Sequence, residues 1–379
     1  MDFRIEFYKK TGGNNVYSEP VILGKNDVIS INIDRRLYNT GVCSVSLNNT
    51  SNKIYQVYDL NPEKETSPYD NHSLIKVYIE NKIQFVGIIR SYRYLEESNT
   101  FEFEAHDYSY KLMKNIDTKT SAYLTFTNMK ALDIVKSLIL HSGVKNVEIS
   151  KEMRAKDYLI KKMEVEYNSV YSNVIDKIIN PMYGRFRCKK DGTIVIENAY
   201  PIYNSGDDIG DYNFKVSTKS HSFKKNLIGL SDGNYTRDST SLCNKLVVRG
   251  SKGETDYKVF ECPYLKEYLN GEIFIDEIQE ELAVTTEQKR NAVNKHFRSL
   301  MRKAKTFDFT TVKGNPDLEI GNVIRVEMAN SKIQGSTLLN GITTNITEGN
   351  YTNTLETEIL VNDDWFFGVE VGGNYTRKE

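Results

Sequence analysis

A series of strand and turn signals that occurs twice constrains the fold more than any other feature. Residues 75–104 predict one strand, then a second with Gly87-Ile88, a turn with Asn99, and a third of the form Thr-apolar-Glu-x-Glu. Residues 324–358 give the same order, with Gly341-Ile342 in the middle strand. Chance similarity between two β meanders is the alternative. Self-similarity in a fixed order favours duplication, so the sequence predicts two related β-barrel domains.

Residues 1–115 and residues 116–200 carry different sequence patterns. Residues 1–115 consist of short alternating segments separated by turn residues, a pattern typical of a barrel or a sandwich. In residues 116–200, apolar side chains recur at helical spacing from Ala131 to Ile139 and from Val170 to Ile179, and a hairpin follows. The sequence therefore predicts a first β-barrel domain and then a small α/β middle domain.

The second half of the chain returns to β signals. Residues 201–220 are rich in Gly, Asp and Ser and are predicted to be a linker. Residues 221–362 are predicted to form a second β-barrel domain with an insertion at 251–284 and a helix at 285–305. Residues 363–379 are predicted to be a C-terminal tail. The expected fold class is mainly β, with an α/β middle unit.

The predicted helix at 285–305 carries a start signal and a strong charge pattern. Thr285 and Gln288 have the spacing of a capping box, in which each side chain bonds the backbone N–H of the other residue. From Gln288 to Thr306 there are seven basic residues and no acid, whereas residues 272–281 hold five acids and no base. This helix either pairs with the acidic segment as a solvated face or docks on an acidic surface of another subunit.

Subunit contact is the functional interpretation of these charges. Nucleic-acid binding is a weaker third possibility, because no aromatic stacking positions interleave the basic ones, and we expect no specific nucleic-acid binding. The candidate subunit-interface residues are basic residues of the helix and aromatic residues of the tail: Lys289, Arg290, Lys295, Arg298, Arg302, Lys303, Trp365 and Phe366.

Motifs for catalysis or cofactor binding are absent from the sequence. It contains no GxSxG, HExxH, Walker A or Rossmann glycine pattern. The four cysteines are widely spaced and the five histidines do not cluster with them, which predicts reduced, buried thiols and no metal site. The net charge of −1 gives no global attraction to nucleic acid or anionic membranes. We expect no enzyme activity, no cofactor, no small-molecule substrate and no membrane insertion.

Several of these segments resemble a known family when they are taken in order. Residues 244–250, a variable insertion, a helix that ends near Ala304, and residues 314–326 resemble the C-terminal barrel of phage tail hub proteins. The sequence Asp34-Arg35-Arg36 and the strand meander that ends in Asp107 resemble the N-terminal barrel of the same family. That family includes the baseplate hub of contractile tails, the late control protein D group and the hub part of type VI spike proteins.

One position departs from the pattern of this family. Where Asp is common before the final Val-x-Val strand, this chain has Asn322. The difference should not matter if the position serves only as a turn.

The resemblance implies a structural function without chemistry. Family hubs are homotrimers in which each chain supplies two similar barrels, so that six barrels match a six-fold tail tube and the trimer matches a three-fold spike. The implied partners are a spike protein, a tail tube protein and other baseplate proteins. The chain is expected to assemble in the bacterial cytoplasm into a phage tail or bacteriocin particle. The alternative is a cell-wall hydrolase or a carbohydrate-binding baseplate component.

Overall fold

The chain folds into four sheets and a few helices, as seen in a computed structural model. The structure describes residues 2–10, 17–37, 39–48, 72–117, 123–200, 212–216, 227–250, 256–328, 333–359 and 368–371. Strands dominate these ranges, so the predicted mainly β fold class with an α/β middle unit is confirmed. No helix within the same ranges is long and apolar enough to cross a bilayer.

The first β unit contains seven strands around one core. They are β1 (Phe3–Tyr8), β2 (Val21–Leu23), β3 (Val28–Arg36), β4 (Val42–Asn48), β5 (Leu74–Ile79), β6 (Lys82–Leu95) and β7 (Thr100–Asp107). Neighbouring strands pair in the order β2-β1-β5-β6-β7-β4-β3. The alternation in the sequence places every second side chain in this core, where Phe7 and Phe103 meet edge to face with ring centroids 5.0 Å apart.

The middle unit is the α/β segment that follows. A 3-10 helix at Tyr108–Met113 leads into it, and a second one at Asn180–Met182 lies within it. Its other elements are β8 (Tyr123–Lys130), α1 (Ala131–His141), β9 (Val147–Ile149), α2 (Lys151–Ala155), β10 (Leu159–Glu166), α3 (Tyr171–Ile179), β11 (Gly184–Cys188) and β12 (Ile194–Asn198). Strands β8 and β10 form one ribbon, and β11, β12 and β9 form a second sheet. The predicted apolar faces of α1 and α3 are buried between them.

The rest of the chain interleaves two further units. Its elements are β13 (Tyr212–Val216), β14 (Leu227–Arg237), β15 (Lys245–Arg249), β16 (Tyr257–Glu261), α4 (Pro263–Tyr268), β17 (Ile275–Gln279), α5 (Thr286–Ala304), β18 (Lys305–Thr311), β19 (Val323–Met328), β20 (Ile333–Thr347), β21 (Asn350–Ile359) and β22 (Val369–Glu370). Six of the strands pair in the order β13-β14-β18-β21-β20-β19 and return to β13. This closed cycle is the second β unit, and closure removes exposed strand edges from it.

The two β units repeat one strand order. In the sheet, the first unit has the order β1-β5-β6-β7-β4-β3, and the second has the order β13-β19-β20-β21-β18-β14. Strands at corresponding places in these two orders also follow one another in the same sequence along the chain. One difference is that β1 pairs with β5 antiparallel, whereas β13 pairs with β19 parallel. Strand β20 also pairs with β3, and this joins both units in one 13-stranded sheet.

The repeat that the sequence predicts is therefore present. The structure does not align Gly87 with Gly341, however, as the sequence comparison does. The β6–β7 ladder has its irregularity between Ile89 and Ser91, and the β20–β21 ladder has one between Leu339 and Gly341. Gly87 lies before the first irregularity, whereas Gly341 lies at the second. The two glycines therefore occupy different positions relative to the irregularity of their ladder.

The inserted unit lies between β14 and β18, where the first unit has only the short β3–β4 connection. It contains the four-stranded sheet β17-β15-β16-β22 with helices α4 and α5. The expected insertion at 251–284 is therefore too narrow, because β15 already pairs with β16 and β17. An apolar run identifies a strand but does not identify the sheet that it joins.

The expected linker at 201–220 also needs correction. Tyr212–Val216 is a strand that lies between β14 and β19 and helps to close the second β unit. Turn-forming residues around this short strand favour a linker in the sequence, so the sequence does not predict the strand. The rest of the expected linker lies outside the described residues.

Helix α5 begins with the predicted capping box. Thr285 Oγ1 accepts the Gln288 N–H at 3.2 Å, and Gln288 Oε1 accepts the Thr285 N–H at 3.0 Å. We expect Thr285→Ala to lower the free energy of unfolding by about 1 kcal/mol, because it leaves an N–H at the helix start without this acceptor. Urea denaturation measures the change. The control is Thr286→Ala, which lies inside the helix and should change stability by less than about 0.5 kcal/mol; equal effects would argue against the cap.

Candidate functional site

The loop between β18 and β19 contacts both the first β unit and the middle unit. The carbonyl oxygen of Pro316 accepts hydrogen bonds from Gln84 Nε2 at 3.0 Å and from Lys190 Nζ at 2.6 Å. One residue further, Asp317 pairs with Lys82 at 2.5 Å. This short segment of the second β unit therefore holds the other two units against it.

A buried charge network continues from this loop into the chain. Glu319 Oε1 lies 2.5 Å from Arg35 of β3 and 3.6 Å from Arg187 of β11. Arg187 and its neighbour Arg185 both contact Glu197 at 2.8 Å. The arginines are largely buried, with Arg35 and Arg185 side chains 5% exposed. We call Arg35, Arg185, Arg187, Glu197 and Glu319 the junction cluster, because it joins three units.

Turn chemistry in the loop places Glu319. Asn315 Oδ1 accepts the Asp317 N–H at 2.9 Å, and Asn322 Oδ1 accepts the Glu319 N–H at 2.7 Å. Gly321 has a φ of +91°, which glycine adopts without strain, and a Cβ there would lie 3.1 Å from Arg185. The role of Asn322 is thus that of a turn residue, as expected, since an amide oxygen and a carboxylate oxygen can both accept this bond.

The charges of the junction cluster shift the pKa values of its acids. Burial acts to raise the pKa of Glu319, but Arg35, Lys190 and Arg187 together hold it below the ordinary value. Burial also acts to raise the pKa of Glu197, but Arg185 and Arg187 hold it below the ordinary value. Both acids therefore contribute stability above the pKa of a free carboxyl, and that contribution is lost as the pH falls through their folded-state pKa values.

Asp107, which ends the first meander, lies next to this network. Its carboxylate accepts the Gly41 N–H at 3.0 Å and the Ser109 N–H at 2.9 Å. Burial raises its pKa, and the neighbouring Arg35 acts in the opposite direction. Asp107, Arg35 and Glu319 are separated by long stretches of sequence, yet the fold brings together these three positions, all from segments that carry the family resemblance.

Basic side chains of α5 contact other residues of the same chain, in the inserted unit and in the middle unit. Lys289, which is 3% exposed, pairs with Asp256 at 2.5 Å. Lys295 donates to Asn180 Oδ1 at 2.5 Å. Arg298 donates to the Tyr183 hydroxyl of the middle unit. The guanidinium of Arg298 also lies over the ring of Tyr200, 4.5 Å from its centre. The helix thus fixes the inserted unit to the middle unit.

The predicted subunit-interface residues of α5 differ in their contacts within this chain. Lys289, Lys295 and Arg298 have partners inside the chain. Helix α5 also contacts the acidic segment, where His296 lies 3.3 Å from Asp276. Arg290 is exposed and remains a predicted interface residue. Arg302 and Lys303 belong to α5, but their side chains lie outside the described part, as do residues Trp365 and Phe366; these four remain predictions.

The sequence did not single out Arg185, Arg187 and Glu197. A signal for them was present, because two arginines alternate on one strand of the predicted hairpin and a glutamate lies on the other. Arg185 and Glu197 are directly opposite in the register.

The predicted thiols are as expected: all four cysteines are free and buried.

Comparison with known proteins finds similarity in structure and not in sequence. No protein-family model and no curated protein matches the sequence. The 43 kDa tail protein of prophage MuSo2 from Shewanella oneidensis matches with a TM-score of 0.66 and 12% identity, over 95% of this chain and 99% of that one. A tail protein from Neisseria meningitidis MC58 matches with a TM-score of 0.67 and 13% identity, over 97% and 98%.

This chain has the fold of phage tail proteins. A third match is an E. coli component of the type VI secretion system, described as similar to the T4 bacteriophage tail proteins gp27 and gp5. Its TM-score is 0.50 at 10% identity, over 91% of this chain and 76% of that chain. Because the first two tail proteins match over almost their full length, the tail-protein fold includes the β units, the middle unit and the inserted unit together.

Proposed function

We propose that this chain is the structural hub of a phage tail or tail-like contractile particle. The hub is a homotrimer that joins a three-fold spike to a six-fold tail tube. The observation that carries the proposal is the repeated strand order of the two β units in one continuous sheet. Three such chains supply six similar β units, which is the number that a six-fold ring requires.

The contacts between the units support this function, because a ring needs a fixed angle between neighbouring units. Strands β3 and β20 pair from Ser30↔Thr347 to Arg36↔Gly341, which makes a continuous antiparallel ladder across the boundary. The junction cluster adds an ion pair to this boundary, because Arg35 of β3 contacts Glu319 of the second β unit. Ladder hydrogen bonds and directed ion pairs both depend on geometry, so they restrict the orientation of the units.

The proposed partners are a spike protein, a tail tube protein, other baseplate proteins and two further copies of this chain. The function requires no catalysis, so we propose that the chain is not an enzyme. Its proposed place of assembly is the bacterial cytoplasm, followed by incorporation into the baseplate. The names of the structural matches support this setting, since two are tail proteins and one is a type VI secretion component.

Light scattering and a peptidoglycan zymogram test the proposal together. We expect a particle of three times the 43.6 kDa chain mass and no clearing of cell wall. A monomer that clears peptidoglycan would overturn the hub function in favour of a baseplate hydrolase. A monomer that binds glycan without clearing it would favour a carbohydrate-binding component instead.

A further inference from the structure

Three metal-ligand side chains meet in the inserted unit. Cys243, Asp276 and His296 each place one ligand atom within 4.8 Å of the others. Asp276 Oδ2 lies 3.3 Å from His296 Nε2. Cys243 lies two residues before β15, Asp276 lies in β17 and His296 lies in α5. Since the three residues come from separate elements, the fold and not local sequence brings them together.

A thiolate, an imidazole and a carboxylate form a ligand set that suits zinc. Bonds of roughly 2.0–2.3 Å in a tetrahedral site place ligand atoms roughly 3.3–3.8 Å apart. The 3.3 Å separation of Asp276 Oδ2 and His296 Nε2 matches this geometry, and all three ligand atoms lie within 4.8 Å of one another. Asp276 is 52% exposed at its side chain, so solvent reaches the group from that side and can supply a fourth ligand.

The same three residue types also occur in cysteine nucleophile triads, but this arrangement does not fit one. Cys243 is 6% exposed, which leaves a substrate little access to its sulfur. Burial also raises the pKa of this thiol to about 12, with Asp276 acting in the same direction. A nucleophilic cysteine needs the opposite, a lowered pKa in an accessible position.

We propose that Cys243, Asp276 and His296 bind a zinc ion that joins the start of β15 and strand β17 to helix α5. On binding, a zinc–sulfur bond forms as the thiol S–H bond breaks, and the proton passes to solvent. The remaining coordination position holds water.

The proposed ion would lie beside an exposed edge strand of the inserted unit. Strand β17 lies at the end of its sheet and is mostly exposed, with the Ile275 side chain facing solvent. It pairs in this sheet with β15. A small unit with an exposed strand gains stability from a metal that ties the strand to a helix. An ion bound here would fix β17 to α5, whose other face contacts the middle unit.

Cobalt titration of the full chain tests the proposal. Wild type should bind one equivalent of Co²⁺ with the charge-transfer absorption of a cobalt–thiolate bond, and Zn²⁺ should displace it. Cys243→Ser should abolish that absorption, and Cys188→Ser, which alters a buried thiol of the middle unit, should preserve it. Absence of the absorption in wild type, or its survival in Cys243→Ser, would overturn the proposal.

A second pair of variants covers the case in which Cys243→Ser does not fold. Asp276→Asn changes an exposed side chain and should weaken Zn²⁺ binding by more than roughly 100-fold, since even the loss of groups that only support ligands costs about 10–100-fold. Glu277→Gln, on the next residue of the same strand, should leave the affinity unchanged. Zinc should also raise the melting temperature of wild type and of Glu277→Gln, and not that of Asp276→Asn. Equal zinc affinity in the two variants would contradict the assignment.

Discussion

Replacing Glu319 with alanine is expected to lower the free energy of unfolding by about 3–5 kcal/mol. Glu319 lies 2.5 Å from Arg35 and 3.6 Å from Arg187, and the Arg35 side chain is only 5% exposed. Removing the carboxylate takes away the ion-pair partner of the buried Arg35 guanidinium, whereas Arg187 keeps its contact with Glu197. Urea denaturation monitored by a global signal measures the loss.

A neighbouring ion pair in the same loop provides a matched control. Asp317 and Lys82 lie 2.5 Å apart, but each side chain is 51% exposed. Asp317→Ala should therefore cost less than about 1 kcal/mol, because solvent screens an exposed pair. Equal, small losses in both variants would show that the junction cluster does not hold the units together. Removing Arg35 and Glu319 together should cost less than the sum of the single changes, since the two residues are in contact.

Replacing Glu280 with glutamine is expected to stabilise the chain by about 3 kcal/mol at pH 8 and hardly at all at pH 4.5. Glu280 is 8% exposed and accepts a hydrogen bond from Asn180 Nδ2 at 3.1 Å. Burial raises its pKa from 4.5 to about 7, against the opposing effects of Asn180 and Lys295. Glutamine keeps a hydrogen-bond acceptor at this position but carries no charge.

The direction of this pH effect follows from proton binding. Between pH 4.5 and about 7 the folded chain holds the Glu280 proton while the unfolded chain releases it. The contribution of this group to stability therefore falls as the pH rises through that range and is constant above it. Glu281→Gln is the control, because Glu281 is exposed and an exposed charge contributes little to stability. A gain for Glu280→Gln that is the same at pH 4.5 and pH 8 would contradict the charge-burial explanation.

Local features of the fold were predictable from the sequence because they depend on adjacent residues. The capping box of α5 needs only Thr285 and Gln288, and both of its hydrogen bonds form. The strands of each meander follow from alternation with a period of two. The alternation does not determine which sheet a strand joins, and so Lys245–Arg249 was placed with the wrong strands.

Long-range contacts account for what the sequence did not reveal. Arg35 and Glu319 lie 284 residues apart, and nothing near either one identifies the other. The spacing of Cys243 and His296 fits no local metal motif, so the sequence alone predicts no metal site from them. The charge composition of α5 leaves open whether its basic residues pair with the acidic segment or with another subunit, because composition cannot distinguish a contact within the chain from one between chains.

An image of the assembled particle with this chain located in it tests the central claim most directly. The hub function predicts three copies on the tail axis, with six similar β units forming a ring next to the tube and the trimer contacting the spike. A position away from the axis, or a copy number other than three around it, would contradict that function.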